Sequence, residues 1–184
     1  MIIETERLIL RPWADSDRAE YVRFNADPQV RRFYPNLNTA EQTNEWIDKY
    51  IERWAADGTS FFALERKSDG AFIGDAGVSR LDDPVPGNPE FEAGWLTGKE
   101  YWGNGYVPEA MRAVLPFAWN LLDVPEIVAF TYLGNLPSRR VMEKIGMVRD
   151  PARDFAHVRV PVGNRLRPHV LYSIANPRLV SAQS

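Results

Sequence analysis

Thr97-Gly98-Lys99-Glu100-Tyr101-Trp102-Gly103-Asn104-Gly105-Tyr106-Val107-Pro108-Glu109-Ala110 is the stretch that decides how this chain folds. Before it lies a segment of strand character, Glu90–Thr97, in which Phe91, Ala93 and Trp95 share one face and Glu90, Glu92 and Gly94 the other. After it comes an apolar-periodic helix carrying Val107, Ala110, Met111, Val114, Ala118 and Leu121. Two glycines one residue apart, then Pro108 in the first turn, describe a tight loop feeding a helix N-terminus. Amides at that end have no partner inside the helix, and the aligned peptide dipoles add positive potential. The loop therefore suits an anion, and a diphosphate in particular. The same residues also read as a plain strand-to-helix turn in which glycine serves geometry alone.

Working outward, Ile2 to Leu10 reads as one strand ending at Pro12, and Asp15 to Ala26 as a helix with Ala19, Val22 and Phe24 inward. A longer amphipathic helix runs from Ala40 to Ala56, with Asn38 or Thr39 as N-cap and Gly58 beyond its end. Trp46, Ile47, Tyr50, Ile51 and Trp54 recur along it at helical spacing and read as core. Ser60–Arg66 and Ala71–Leu81 are strands joined by a turn at Gly70, and the loop from Asp82 to Pro89 holds three prolines. Glu126–Leu133 is apolar on both faces, as a sheet-centre strand should be. A short helix follows Asn135, His169–Ile174 is a last strand, and Asn176 to Ser184 reads as a flexible tail. Pro116 falls inside the helix after Val107 and is expected to kink it. The order predicts one α/β domain over residues 1–176, with a mixed sheet.

Composition narrows the chemistry. The chain has 184 residues, 45% apolar and 26% charged, with a net charge of −3, so bulk positive charge for nucleic acid is lacking. With no cysteine and two histidines, disulfides, thiolate zinc sites and histidine-rich cages are excluded. No apolar run approaches the ~20 residues of a membrane helix, and no signal-peptide core follows Met1. The expectation is a soluble, cytoplasmic protein with no metal, no nucleic-acid partner and no membrane partner.

The diphosphate reading can be sharpened. A phosphate-binding G-x-x-x-x-G-K-[ST] loop fails because Gly94 and Gly98 are one residue too close and Glu100 follows Lys99. A dinucleotide fingerprint fails because Pro108 stands at its third glycine and no acid ends the next strand, Thr131-Tyr132-Leu133. Gly77-Val78-Ser79 lacks the second glycine of a nucleophile elbow. Downstream, Asn135-Leu136-Pro137-Ser138-Arg139-Arg140 opens a helix that Gly146 ends. Arg139 and Arg140 sit where the helix dipole disfavours positive charge; a phosphate-bearing ligand explains them, as does surface pairing of Arg140 with Glu143.

Trp102–Ala110 resembles the pyrophosphate-binding motif of the GNAT superfamily of N-acetyltransferases, and Asn135–Met147 resembles that family's N-x-x-S-x-R…K-x-G-F/M segment. Glu4–Arg11 and His169–Tyr172 are similar to the start and end of its ribosomal-protein N-terminal acetyltransferase (RimJ/RimL-like) branch. The likeness spans about residues 3 to 175; Trp102 stands where that pattern has Gln or Arg, and Val107 where it has a small residue. The resemblance implies a GNAT-type α/β (α+β) fold, a V-splayed mixed sheet of about seven strands flanked by about four helices.

It also implies acetyl-CoA as co-substrate, lying between Glu90–Thr97 and Glu126–Leu133. Trp95, Leu96, Thr97 and Asn135 would meet the pantetheine arm, and Trp102, Gly103, Asn104, Gly105, Tyr106, Val107 and Arg139 the phosphates. Ser138 would protonate the departing thiolate, with Tyr132 an alternative donor. Glu92, facing away from Phe91 and Trp95, is the candidate general base through water, and also reads as a solvated strand carboxylate. Asp75, placed on the face of Ile73, is the second candidate. Phe33, Tyr34 and His157 are candidate walls of the amine pocket, and His169 reads as structural. The implied acceptor is a protein N-terminal α-amine, with small-molecule amines and a non-catalytic acetyl-CoA-binding module as alternatives, and a homodimer as the assembly.

Overall fold

The structure, a computed structural model, describes residues 1–180. Its strands are Ile3–Glu4 (β1), Leu8–Arg11 (β2), Phe61–Arg66 (β3), Ala71–Arg80 (β4), Phe91–Thr97 (β5), Glu126–Tyr132 (β6), Val148–Arg149 (β7), Phe155–Ala156 (β8) and Pro168–Ala175 (β9). Its helices are Asp15–Asn25 (α1), Ala40–Asp57 (α2), Tyr106–Leu121 (α3), Leu136–Lys144 (α4) and Pro177–Val180 (α5). The strands form one mixed sheet in the order β1-β2-β3-β4-β5-β6-β9-β7, with β8 paired to β9. Every pairing is antiparallel except β5 with β6. Helices α3 and α4 cover one face over a core that includes Leu10, Phe62, Val78, Phe91, Met111 and Ile127. On the other face α1 and α2 bury Trp13, Tyr21, Phe24, Ile47 and Leu96. Among the described residues no helix is long and apolar enough to cross a membrane.

The extra strands over the expected seven are very short ones. The first expected strand is two, because the Thr5 amide bonds the Leu8 carbonyl (2.9 Å) and folds β1 back on β2; β7 and β8 are two residues each. In α1 the buried residues are Asp17, Tyr21, Phe24 and Asn25, whereas Ala19 is exposed and Val22 half-buried. Asp17 sets that phase: its carboxylate accepts from the Ala14 amide (2.9 Å) and pairs with Arg11 (2.7 Å), which turns positions 17, 21 and 24 inward. In α2 the Thr39 cap is present and Ile47 is fully buried, but Ile51 is exposed. Helix α3 continues through Pro116, which lies on its solvent face, where water can satisfy the Arg112 carbonyl. The expected tail is docked at its start. Asn176 is buried and donates to the Val124 carbonyl (3.0 Å), and Arg178 reaches the Trp119 carbonyl (2.6 Å). The rest of the expected tail, 181–184, lies outside the described residues.

Two features of the sheet place the site. First, β5 and β6 are paired at a single position, Glu92 with Val128, and beyond it they part. Second, β4 carries a bulge: Leu64 pairs with Gly74 and Glu65 with Phe72, so Ile73 is the extra residue. One extra residue swaps the faces beyond it. Asp75 therefore lies opposite Ile73, not beside it as alternation predicts, and joins Glu92 and Leu96 on the α1/α2 face. Gly74 makes the bulge possible, with φ +138° and a Cβ that would stand 2.1 Å from the Leu96 carbonyl oxygen.

Candidate active site

Two cavities open where β5 and β6 part. One, of about 340 Å³, lies on the α1/α2 side and is lined by Asp75, Glu92, Arg31, Tyr50, His157 and His169, among others. The other, of about 380 Å³, extends past Thr97, Trp102, Gly103, Gly105, Tyr106 and Val107 to Arg140 and Lys144. Phe33, Tyr34, Trp95, Leu96, Asn135 and Ser138 line both, so the cavities meet at these six residues. Phe33 and Tyr34 thus stand at the junction, beyond the single pocket the sequence suggested.

The second cavity ends at a helix start whose geometry suits an anion. Gly103 (φ +78°) and Gly105 (φ +79°) take backbone conformations that side chains resist, and Gly105 is the N-cap of α3. With no side chain to cap the helix, the amides of Tyr106 and Val107 have no partner among the described residues. Glu109 in that first turn would repel an anion, but it is neutralised by Arg7 (2.6 Å) and held by the Thr5 hydroxyl (2.6 Å). Arg7 also donates to the Asn104 carbonyl (3.0 Å), tying the loop to the N-terminal segment. Trp102 is anchored by its indole N–H on the Thr97 carbonyl (3.2 Å), and the Arg32 guanidinium lies 4.5 Å from its ring centroid.

Other expected residues are placed differently. Asn104 lines neither cavity; its amide bonds the Tyr101 and Trp102 carbonyls (3.1 Å each) and closes the loop. Arg139 also lines neither, being bonded to the Tyr172 hydroxyl (3.2 Å) and Leu133 carbonyl (3.1 Å); Arg140 and Lys144 face the cavity instead. Their i, i+4 spacing was the available signal. Tyr132 lines neither cavity and packs against Phe33, with centroids 6.0 Å apart. The Leu96 amide is taken by Asp75 Oδ1 (3.0 Å) and that of Gly98 by the Ile73 carbonyl (3.2 Å). Strand amides alternate, so Leu96 offers none to the gap, whereas Trp95 and Thr97 direct theirs toward β6.

The polar groups divide by environment. Asp75 is 3% exposed, accepts from the Tyr21 hydroxyl (3.2 Å) and Leu96 amide, and burial pushes its carboxyl up to about 7. Burial also pushes Glu92 up to about 7, with Asp82 adding and Arg53 and Arg159 opposing. Both line the first cavity, but unlike Asp75, Glu92 has no hydrogen-bond partner among the described residues. Ser138 Oγ accepts from Asn135 Nδ2 (3.1 Å), which leaves its own hydrogen free to donate. His169, expected to be structural, lines the cavity beside His157, with ring centroids 4.7 Å apart. Burial lowers both, His169 to about 4, so both are neutral at pH 7. Among the described residues no cluster of three or more His, Asp or Glu is placed to hold a metal ion.

Residues 7–148 match the family described as the acetyltransferase (GNAT) domain. The uncharacterized protein YkkB of Bacillus subtilis (strain 168) is 34% identical over 145 residues, 78% of this chain and 83% of that protein. The uncharacterized N-acetyltransferase YnaD of the same organism is 26% identical, covering 95% of this chain and 96% of its own. A GNAT-family acetyltransferase from Bacillus anthracis superposes with a TM-score of 0.77 at 26% identity, covering 96% of this chain and 99% of that one.

Proposed function

The chain belongs to the acetyltransferase (GNAT) family and is an acetyl-CoA-dependent N-acetyltransferase, and from that premise we propose that it acetylates an α-amine, with Glu92 as general base and Ser138 as general acid. The observation that carries this reading is the junction itself: Trp95, with its strand edge open, and the Ser138 hydroxyl stand where the two cavities meet, and the Glu92 carboxyl lines the first cavity next to it.

The residues fit the co-substrate. Unpartnered amides at the α3 start, with Arg140 and Lys144 nearby, suit the diphosphate, and the open strand edge at Trp95 and Thr97 suits the amide-bearing pantetheine arm. Acetyl-CoA supplies the acyl group as a thioester. At the junction, the Trp95 or Thr97 amide donates to the thioester carbonyl oxygen, where negative charge develops. Glu92 takes the proton of the attacking amine, directly or through one water, and Ser138 gives its hydroxyl proton to the departing sulfur. Asp75 keeps the Leu96 amide turned toward β4 and so holds the strand edge in register. A base near 7 matches an α-amine of pKa about 8 far better than a lysine near 10.4. A protein N-terminus meets that description, and a free amino acid, whose own carboxylate raises its amine, lies between it and lysine. The Glu4–Arg11 likeness to the ribosomal-protein branch supports the first and the modest acceptor cavity the second.

Acetyl-CoA at about 1,000 times its Kd stabilises by roughly 4 kcal/mol, so Tm should rise on the order of 10 °C, with no comparable rise from NADH. No shift with acetyl-CoA would refute the cofactor site. Ser138→Ala should lower kcat by about 100-fold while leaving the Kd for acetyl-CoA within a factor of about two. A normal kcat, measured by thiol release, would remove Ser138 as the acid.

A further inference from the structure

The acceptor cavity holds a cation that no carboxylate among the described residues neutralises. Arg31 is 5% exposed and lines the cavity, yet no carboxylate pairs with it among the described residues. Its guanidinium donates to the Asn36 carbonyl from Nε and Nη2 (3.2 Å each), to Asn38 Oδ1 (3.0 Å) and to Asn25 Oδ1 (3.3 Å). It lies 3.9 Å from the Tyr34 ring centroid. These four bonds go to neutral oxygens and leave one Nη1 hydrogen uncommitted. More exposed arginines do meet acids: Arg11 meets Asp17, Arg53 meets Asp82 and Arg153 meets Glu126. Buried charges in proteins are paired as a rule, because removing a guanidinium from water is expensive. Beside it, Asn38 Nδ2 is buried with no acceptor, a second donor unmet at the same place.

An anionic group on the ligand would complete Arg31. We propose that the acceptor is a small α-amino carboxylate, a free amino acid or close analogue, whose amine meets Glu92 and whose carboxylate meets Arg31. This rests on the reading of Glu92 as base. Of the charged side chains lining this cavity, Asp75 is bonded to Tyr21 and Leu96, and Arg159 pairs with Asp82 and Asp83, which leaves Arg31, from the α1–α2 loop, and Glu92, from β5, as the two opposite charges open to a zwitterion. A cavity of about 340 Å³ is near the small end of ligand pockets, roughly 300–1,000 Å³, and fits one residue better than an extended chain. A protein N-terminus offers the amine but carries a neutral amide where the carboxylate would be. In the transfer, the amine nitrogen bonds the acetyl carbon as the C–S bond breaks. One amine proton passes to Glu92 and the sulfur takes a proton from Ser138, which regains it from solvent, leaving the N-acetyl amino acid and free CoA thiol.

The test compares the twenty common amino acids with their amides, their decarboxylated amines and tripeptides starting with the same residue, by thiol release from acetyl-CoA. The expected result is a kcat/KM at least about 10- to 100-fold higher for one or more amino acids than for the matching amide, the range of a hydrogen bond to a charged group. The lower amine pKa of the amides works against this outcome, so it cannot produce it. In Arg31→Gln that preference should fall to within about threefold while the weak rate on decarboxylated amines is kept, and Arg31→Lys should restore part of it. An unchanged Tm rise with acetyl-CoA in both variants reports an intact fold. Equal wild-type rates on acids and amides overturn the proposal, as does preference for the tripeptides. So does an equal loss on every acceptor in Arg31→Gln, which would make Arg31 a brace for its loop. Thiol release without discrimination overturns this proposal alone, whereas no release with any amine overturns the Glu92 reading with it.

Discussion

Replacing Glu92 with glutamine is expected to lower kcat/KM by about 100-fold or more near pH 7.5, with the Kd for acetyl-CoA unchanged. Glutamine keeps the size and removes only the proton acceptor. The wild-type rate should climb with pH through about 7, where the half-buried carboxyl loses its proton, and this limb should vanish in Glu92→Gln. The deficit should narrow at higher pH as the amine deprotonates unaided. Stability supplies an independent check. Burial raises Glu92 from its ordinary 4.5 to about 7, so the folded state binds more protons between those values. This group's contribution is therefore full below pH 4.5 and is lost as pH rises through 7. Glu92→Gln should gain on the wild type in Tm from pH 5 to pH 8. A variant with unaltered rate across pH, or with no change in the Tm difference, would return Glu92 to the role of an ordinary strand carboxylate and direct attention to Asp75.

The second large effect is expected at Gly105. Its φ of +79° is strained for any side chain, and most of all for a β-branched one. A Cβ there meets little, since the nearest atom is Arg7 Nη2 at 3.8 Å, so the fold should survive with a loss of about 1–2 kcal/mol. The affinity should not survive. Gly105→Val redirects the Tyr106 and Val107 amides and places two methyls at the diphosphate path, and the Kd for acetyl-CoA should rise at least about 100-fold. Calorimetric titration checks this directly. Wild-type affinity in a folded Gly105→Val protein would mean that the diphosphate lies elsewhere.

The legibility of the site in the sequence followed the range of the interactions that made it. The start of α3 is a local object: two glycines, a proline and the strand before them suffice, because backbone conformation at 103 and 105 is set by residues next to one another. Glu92 was legible for the same reason, since alternation along β5 is regular from Phe91 to Leu96. Arg139 and Arg140 show the limit. Their position early in α4 suggested a phosphate, yet which of two neighbours faces it depends on how α4 rolls against β9, and Arg139 is the one drawn to Tyr172. Asp75 failed on a bulge: the register shift at Ile73 turned it from one face to the other, and no alternation pattern reveals an inserted residue.

By itself the sequence determined the order of the main elements, the α/β class and the glycine-bracketed start of α3, and it marked Glu92 as the candidate base, because each rests on periodicity or on a few adjacent residues. It also determined the family, through three motifs in the right order. Only the tertiary structure decided that β5 and β6 part after one paired position and that two cavities meet at Ser138. It alone showed Arg31 buried without a counter-charge among the described residues while Arg7 neutralises Glu109 from 102 residues away. Such contacts join segments far apart in the chain, and their partners are chosen by packing and charge compensation across the sheet rather than by any pattern along it.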